Sequence, residues 1–301
     1  MSQSIAFTTP SNAPAWQRWL VFSTLARIVI FAALLLGIGY LMHALLPMTG
    51  WTDKSAAPTL RALAHLLLEL VPSVVGYLVL VKLIERRRMQ EFSARSVVSA
   101  GIPAFLGGFV LFSTVVGLLW LFGSYHVLGI NTQVDWLPEI LVDGVAAGIA
   151  EEIVTRGVLF RAVEEGMGTW WALIISALFF GAAHIFNPGA TLWSSLAIAI
   201  EAGILLALVF HVTRSLWACV GLHAAWNIAQ GTIYGIPVSG THSDGLLVSS
   251  RSGPDWLSGG GFGAEASVVA LATCSLVSAA LLLIALRRRS IVAPSWRRKN
   301  A

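Results

Sequence analysis

"GIAEEIVTRGVLF", residues 148–160, sets two adjacent glutamates and an arginine in a run that otherwise has the composition of a membrane-spanning helix. Ionisable side chains in hydrocarbon are costly, and where they occur they mark ion pairs, gates or reactive groups. The fold and the chemistry both turn on whether this stretch crosses a bilayer and on what Glu151, Glu152 and Arg156 do there.

The rest of the chain answers the first question. It is 56% hydrophobic and 11% charged, with mean hydropathy +0.78, whereas a soluble domain carries about a quarter charged residues. Apolar runs of about 18 or more residues recur along it, which is the signature of membrane helices. This implies an all-α polytopic membrane protein, 1–301 forming a single integral membrane domain, surrounded by membrane lipids. The net charge of +4 resides in loops beside expected spans, so no nucleic-acid partner is expected. Cys219 and Cys274 both fall inside spans and offer neither a disulfide framework nor metal-ligand spacing. They read as small packing residues.

The polar first 17 residues lack the basic start of a signal peptide, and the apolar run that follows is longer than a signal core. Spans are expected at about 19–46, 60–84, 99–123, 136–163, 169–187, 191–212, 215–234 and 266–286, about eight transmembrane helices with no internal repeat. Charge tests this layout independently. With the N-terminus cytoplasmic, that side receives Arg18, Lys82, Arg86, Arg87, Arg88, Arg95, Arg161, Arg214, Arg287, Arg288, Arg289, Arg297, Arg298 and Lys299, and the other side only Lys54, Arg61 and Arg251. Fourteen against three fits both termini cytoplasmic in a multi-pass protein of the cell membrane. Residues 235–265 form a long outer connection, and "WLSGGGFGAEAS" reads as a flexible turn before the last helix. Glu265, in or near that helix's first turn, suits the helix dipole.

The conspicuous intramembrane polar groups lie in 136–234. They are "EEIVTR" at 151–156, "FGAAH" at 180–184 and "HAAWN" at 223–227. Residues four apart share a helix face and adjacent ones point about 100° apart. Glu152 and Arg156 therefore pair along the helix, the acid on the favoured N-terminal side, and Glu151 faces something polar across the bundle. His223 and Asn227 share a face. At 1.5 Å rise per residue, Glu151 lies roughly 15 Å, His223 roughly 12 Å and His184 roughly 20 Å from the cytoplasmic ends of their spans. These depths fit one shared polar cavity. A carboxylate, two imidazoles and an amide can activate water and stabilise an oxyanion, or hold a zinc ion. Glu201 and the His65–Glu69 pair lack such company and read as packing or gating groups. His211 and His126, near span ends, are expected to face the interface.

These three motifs resemble the EExxxR, FxxxH and HxxxN motifs of the CAAX protease and bacteriocin-processing family of intramembrane endopeptidases, which includes the type II CAAX prenyl endopeptidases. No motif position departs from the pattern, and the Gly-rich segment before the last helix is also similar to that of bacterial members. The resemblance implies Glu151 as the general base that activates water, with His184 assisting. It implies Glu152 and Arg156 as a pair that orients the site, and His223 and Asn227 as oxyanion stabilisers or members of a metal site. A metal-dependent version would use Glu151, His184 and His223 as zinc ligands. A glutamate-type version would use no cofactor. The implied substrate is a membrane-associated peptide or lipidated protein, or a bacteriocin-type precursor.

The competing reading is a non-enzymatic polytopic protein, either a proton-coupled transporter using Glu151 and the histidines or a self-immunity factor retaining the fold. Transport is disfavoured by the lack of an inverted repeat or a broken helix pair. The chain's own end, "WRRKNA", carries no prenylation signal.

Overall fold

The structure is a computed structural model that describes residues 8–298; Lys299 and the remainder of the tail motif lie outside the described residues. Among the described residues, six helices are long and apolar enough to cross a membrane: α1 (Thr24–Thr49), α2 (Pro58–Ile84), α3 (Ala94–Leu121), α5 (Thr169–Phe186), α6 (Leu192–Thr213) and α8 (Val268–Arg287). Two more helical runs, α4 over 136–167 and α7 over 216–233, coincide with the other two expected spans but have polar centres. Residues Glu151, Glu152 and Arg156 interrupt α4, and His223, Asn227 and Gln230 interrupt α7. A helix with a polar middle has to hide it from lipid. Accordingly α7 packs on α3, α4 and α6, with Cys219, Ala225 and Gln230 fully buried. At Gly221 a Cβ would stand 2.4 Å from the carbonyl oxygen of Gly101, so the close approach of α3 and α7 depends on a missing side chain.

The chain is not helical throughout. A two-stranded antiparallel sheet at one end of the bundle pairs β1 (Tyr125–Ile130) with β2 (Leu247–Arg251), with an irregularity between Val127 and Gly129. Its partners are far apart in sequence, so no local hairpin signal announces it. The connection expected to be flexible folds back into the bundle. Phe262, Ala264 and Glu265 are buried, and Gly263 has φ 135° with no room for a Cβ, which would meet Pro237 O at 2.3 Å.

The opposite end is knitted by ion pairs. Glu85 receives Arg27 at 3.2 Å, Arg87 at 2.6 Å and Arg161 at 3.1 Å, and Glu91 receives Arg87 at 2.7 Å and the Tyr77 hydroxyl. Glu165 binds Arg27 at 2.5 Å, the Thr9 backbone N–H at 2.9 Å and, through its own carbonyl, the guanidinium of Arg298. Both described ends of the chain thus meet at one residue. Glu164 binds Arg214 and accepts from His211 Nδ1 at 2.9 Å, while His211 Nε2 meets Ser290 Oγ at 3.0 Å. His211 is therefore buried in a polar network and does not face an interface. Likewise Arg87, Arg161 and Arg214 are engaged with carboxylates and are not free loop charges. His126 does lie exposed, against Ser252 at 2.8 Å.

This network sets an acid limit on stability. Burial alone would raise the Glu164 carboxyl, but hydrogen bonds from His211 and Arg214 outweigh it and hold it down at about 2. For Glu165 burial is likewise outweighed, by Arg27 and Thr9, and the carboxyl also stands at about 2. A folded-state value below the unfolded one means stability that is complete above the ordinary carboxylate range and lost as pH falls toward the folded value. Thermal unfolding in detergent should therefore shift to lower temperature from about pH 5 to about pH 3, and Glu164→Gln should flatten that slope. A midpoint independent of pH over that range would contradict the assignment.

Candidate active site

Glu152 is the fixed point of the site. It is fully buried, and its Oε1 accepts from Arg156 Nη1 at 2.8 Å and meets His223 Nδ1 at 3.0 Å. Arg156, also fully buried, reaches Thr155 Oγ1 on its own helix through Nη1 at 2.8 Å and the backbone of α6 through Nη2, which donates to Gly203 O at 3.0 Å and Ala202 O at 3.2 Å. Both carbonyls belong to the stretch Ala199–Ile204, where α6 widens into π-helical turns. Such widened turns recur at functional sites. The guanidinium also lies 4.8 Å from the Phe180 ring centre, within cation–π range. One side chain thereby ties α4 to α5 and α6, and its carboxylate ties α4 to α7.

Glu151 has a different surrounding. Its side chain is 37% exposed and its Oε2 has no hydrogen-bond partner. His223 Nε2 stands 4.0 Å away, too long for a hydrogen bond. Thr155 Oγ1 donates to the Glu151 carbonyl at 2.5 Å, fixing the backbone that carries this acid. The pairing of Glu152 with Arg156 and the separate orientation of Glu151 are as helical periodicity requires. The contact between His223 and Glu152 is a cross-bundle feature that periodicity does not contain.

His184 closes α5. Its Nδ1 lies 2.7 Å from Phe180 O, and the two rings are 4.6 Å apart. Asn227 donates from Nδ2 to Asp143 O at 2.9 Å, which anchors α7 to α4. The four groups do not share one cavity. Glu151 and His184 face an outer cleft of about 480 Å³ together with Glu69, Leu35, Leu68 and Phe179. His184, His223 and Asn227 face an inner cavity together with Glu201, Glu265 and Ser239. Phe180 and His184 belong to both linings and form the partition. Glu69 and Glu201 therefore do have catalytic-type company, contrary to the sequence expectation. Glu265 sits in the turn Ala264–Ala266 ahead of α8, whose cap is Ser267, and not in the first turn of that helix.

The three residues of the expected ligand set, Glu151, His184 and His223, are not gathered at one point in this arrangement. Among the described residues no three His, Cys, Asp or Glu side chains converge as a metal-holding group. One ring nitrogen of each histidine is engaged, with Phe180 O and with Glu152, which leaves Nε2 of each ring.

Residues 133–229 match the family described as type II CAAX prenyl endopeptidase Rce1-like. No curated protein matches the chain. The stretch similar to that family holds all six candidate residues of this integral membrane protein.

Removing Arg156 would leave the Glu152 carboxylate buried with only His223, a loss that for buried ion pairs is on the order of 3–5 kcal/mol. Arg156→Ala should lower membrane yield and thermal stability, and Arg156→Lys should restore little, because a single ammonium cannot reach a carboxylate and two carbonyls in one plane. Wild-type stability in Arg156→Ala would refute the pairing as the site's anchor.

Proposed function

We propose that the Rce1-like domain is an intramembrane endopeptidase of the glutamate type, in which Glu151 takes a proton from water as that water attacks a peptide carbonyl held in the outer cleft. The observation that carries this reading is the unequal treatment of the two acids. Each acid has an Oε2 without a hydrogen-bond partner, but Glu152 is fully buried between Arg156 and His223, whereas the Glu151 side chain is 37% exposed and lines an open cleft. A general base needs a free lone pair within reach of the water it deprotonates, and of the two acids only Glu151 lines a cleft that water can enter.

The remaining residues divide the work. His184, on the same cleft, assists Glu151 in holding the water. Glu152 and Arg156 fix the helix that carries Glu151 and, through Nδ1, the ring of His223. His223 turns its Nε2 toward Glu151, from where it stabilises the oxyanion that forms on the carbonyl, while Asn227, on the inner cavity, anchors α7 to α4 through Asp143. Collapse of that intermediate breaks the C–N bond, and the proton held by Glu151 goes to the departing amine. Because the donors do not assemble a metal site, no step is assigned to zinc.

The cleft also speaks to the substrate. Its walls include Leu35, Leu68, Pro72 and Phe179 beside the two reactive side chains, which suits a membrane-associated peptide or a lipidated one whose chain lies in hydrocarbon. With the arginine-rich end of the bundle on the cytoplasmic side of the cell membrane, both termini face the cytoplasm.

The test uses purified protein in lipid nanodiscs with a quenched membrane-embedded peptide. Glu151→Gln keeps side-chain volume and removes the base, so turnover should fall by at least about 10²-fold with unfolding temperature unchanged. A chelator should leave wild-type turnover intact. Wild-type cleavage by a correctly folded Glu151→Gln protein would remove Glu151 from the role.

A further inference from the structure

The inner cavity contains an acid that hydrolysis as described does not use. Glu265 is 2% exposed and its Oε1 has no hydrogen-bond partner, while Ser239 and Gln230 stand against the carboxyl group. The surrounding backbone is built to place it. Gly263 lets the chain pass against Pro237, Ser239 sits at φ 49°, and the Ser239 carbonyl accepts from Asn187 Nδ2 at 3.0 Å, three residues beyond His184. Across the cavity stand His184, His223 and Asn227, with Glu201 from α6 completing the wall.

An unmet carboxyl oxygen in a buried wall is unfavourable unless something polar reaches it. The cavity measures about 30 Å³, too small for an amino-acid side chain and large enough for water, given polar partners to hold it. Burial pushes the Glu265 carboxyl above the ordinary carboxylate range, so this group is able to donate a hydrogen bond as well as accept one. On the His184 ring, Nδ1 is taken up by the Phe180 carbonyl. That leaves Nε2 as the nitrogen a water can address.

We propose that Glu265 is a positioning residue of this site, coupled through water in the inner cavity to Nε2 of His184, and that it sets the tautomer and orientation of the imidazole separating the two cavities. Its effect on turnover rests on the endopeptidase reading above; its coupling to His184 does not. Carboxylates that orient a histidine typically matter by about 10–100-fold in the function of that histidine.

The experiment is nitrogen NMR of histidine-labelled full-length protein in nanodiscs, with the His184 signal assigned by its loss in His184→Ala, alongside peptide cleavage. Glu265→Gln should move the His184 Nε2 resonance and lower kcat by about tenfold with KM unchanged. Should Glu265→Gln not fold, Ser239→Ala, which frees one side of the carboxyl, should move the same resonance in the same direction by less. A His184 signal identical to wild type in the folded variant overturns the proposal, whether or not the wild-type protein cleaves the peptide. A moved signal with unchanged kcat overturns the positioning role. Absence of cleavage by the wild type with a moved signal tells against the endopeptidase reading and leaves the Glu265–His184 coupling standing.

Discussion

A single buried carboxylate, Glu152, organises the bundle. A charge that deep is tolerated only if it is paired and hydrogen-bonded, and its partners come from different directions: Arg156 from the next turn of its own helix and His223 from α7. Arg156 in turn must place its other donors, and it finds them on the backbone of α6 and over the ring of Phe180 on α5. The requirement to satisfy one acid therefore fixes the relative positions of four helices. Replacing such a pair with apolar residues often costs nothing in stability, so its value lies in specifying one arrangement. The functional consequence falls on the neighbouring residue. Glu151, about 100° around the helix, is turned away from Arg156 and toward the cleft.

That division was legible in the sequence, because it depends only on spacing along one helix. The membrane character was legible too, since six helices keep the apolar length that composition announces. What sequence spacing does not contain is the meeting of helices. His223 and Asn227 share a face, yet His223 turns to Glu152 and Asn227 to the backbone of Asp143. The strand Tyr125–Ile130 finds its partner beyond residue 246, and nothing local marks either half. Counting basic residues gave a side for the loops but ignored Glu85, Glu91 and Glu164, which draw Arg87, Arg161 and Arg214 into buried pairs. The glycine-rich run before α8 looked flexible for the same reason. Gly263 in it answers a close approach of Pro237 and Gln230, visible only once the chain is folded.

The partition at Phe180 and His184 gives the site a sidedness that a single cavity would lack. The outer cleft is walled largely by apolar groups and carries Glu151; the inner cavity is small and gathers histidines, an amide and two further acids. Hydrolysis inside a bilayer has to bring water to a place that excludes it, while keeping the peptide's polar backbone satisfied. A water-sized inner cavity beside a larger cleft offers polar groups to each side of the partition, with His184 in contact with both.

The central claim is that Glu152 and Arg156 act as one unit that positions the site. A double-mutant cycle on unfolding stability, comparing Glu152→Gln, Arg156→Gln and the double variant in the same nanodiscs, measures it directly. If the pair is the anchor, each single variant leaves an uncompensated buried partner and the double variant recovers part of the loss, giving a coupling on the order of 2 kcal/mol or more. Additive losses, with a coupling near zero, would mean that the two side chains are neighbours without being partners and would contradict the account.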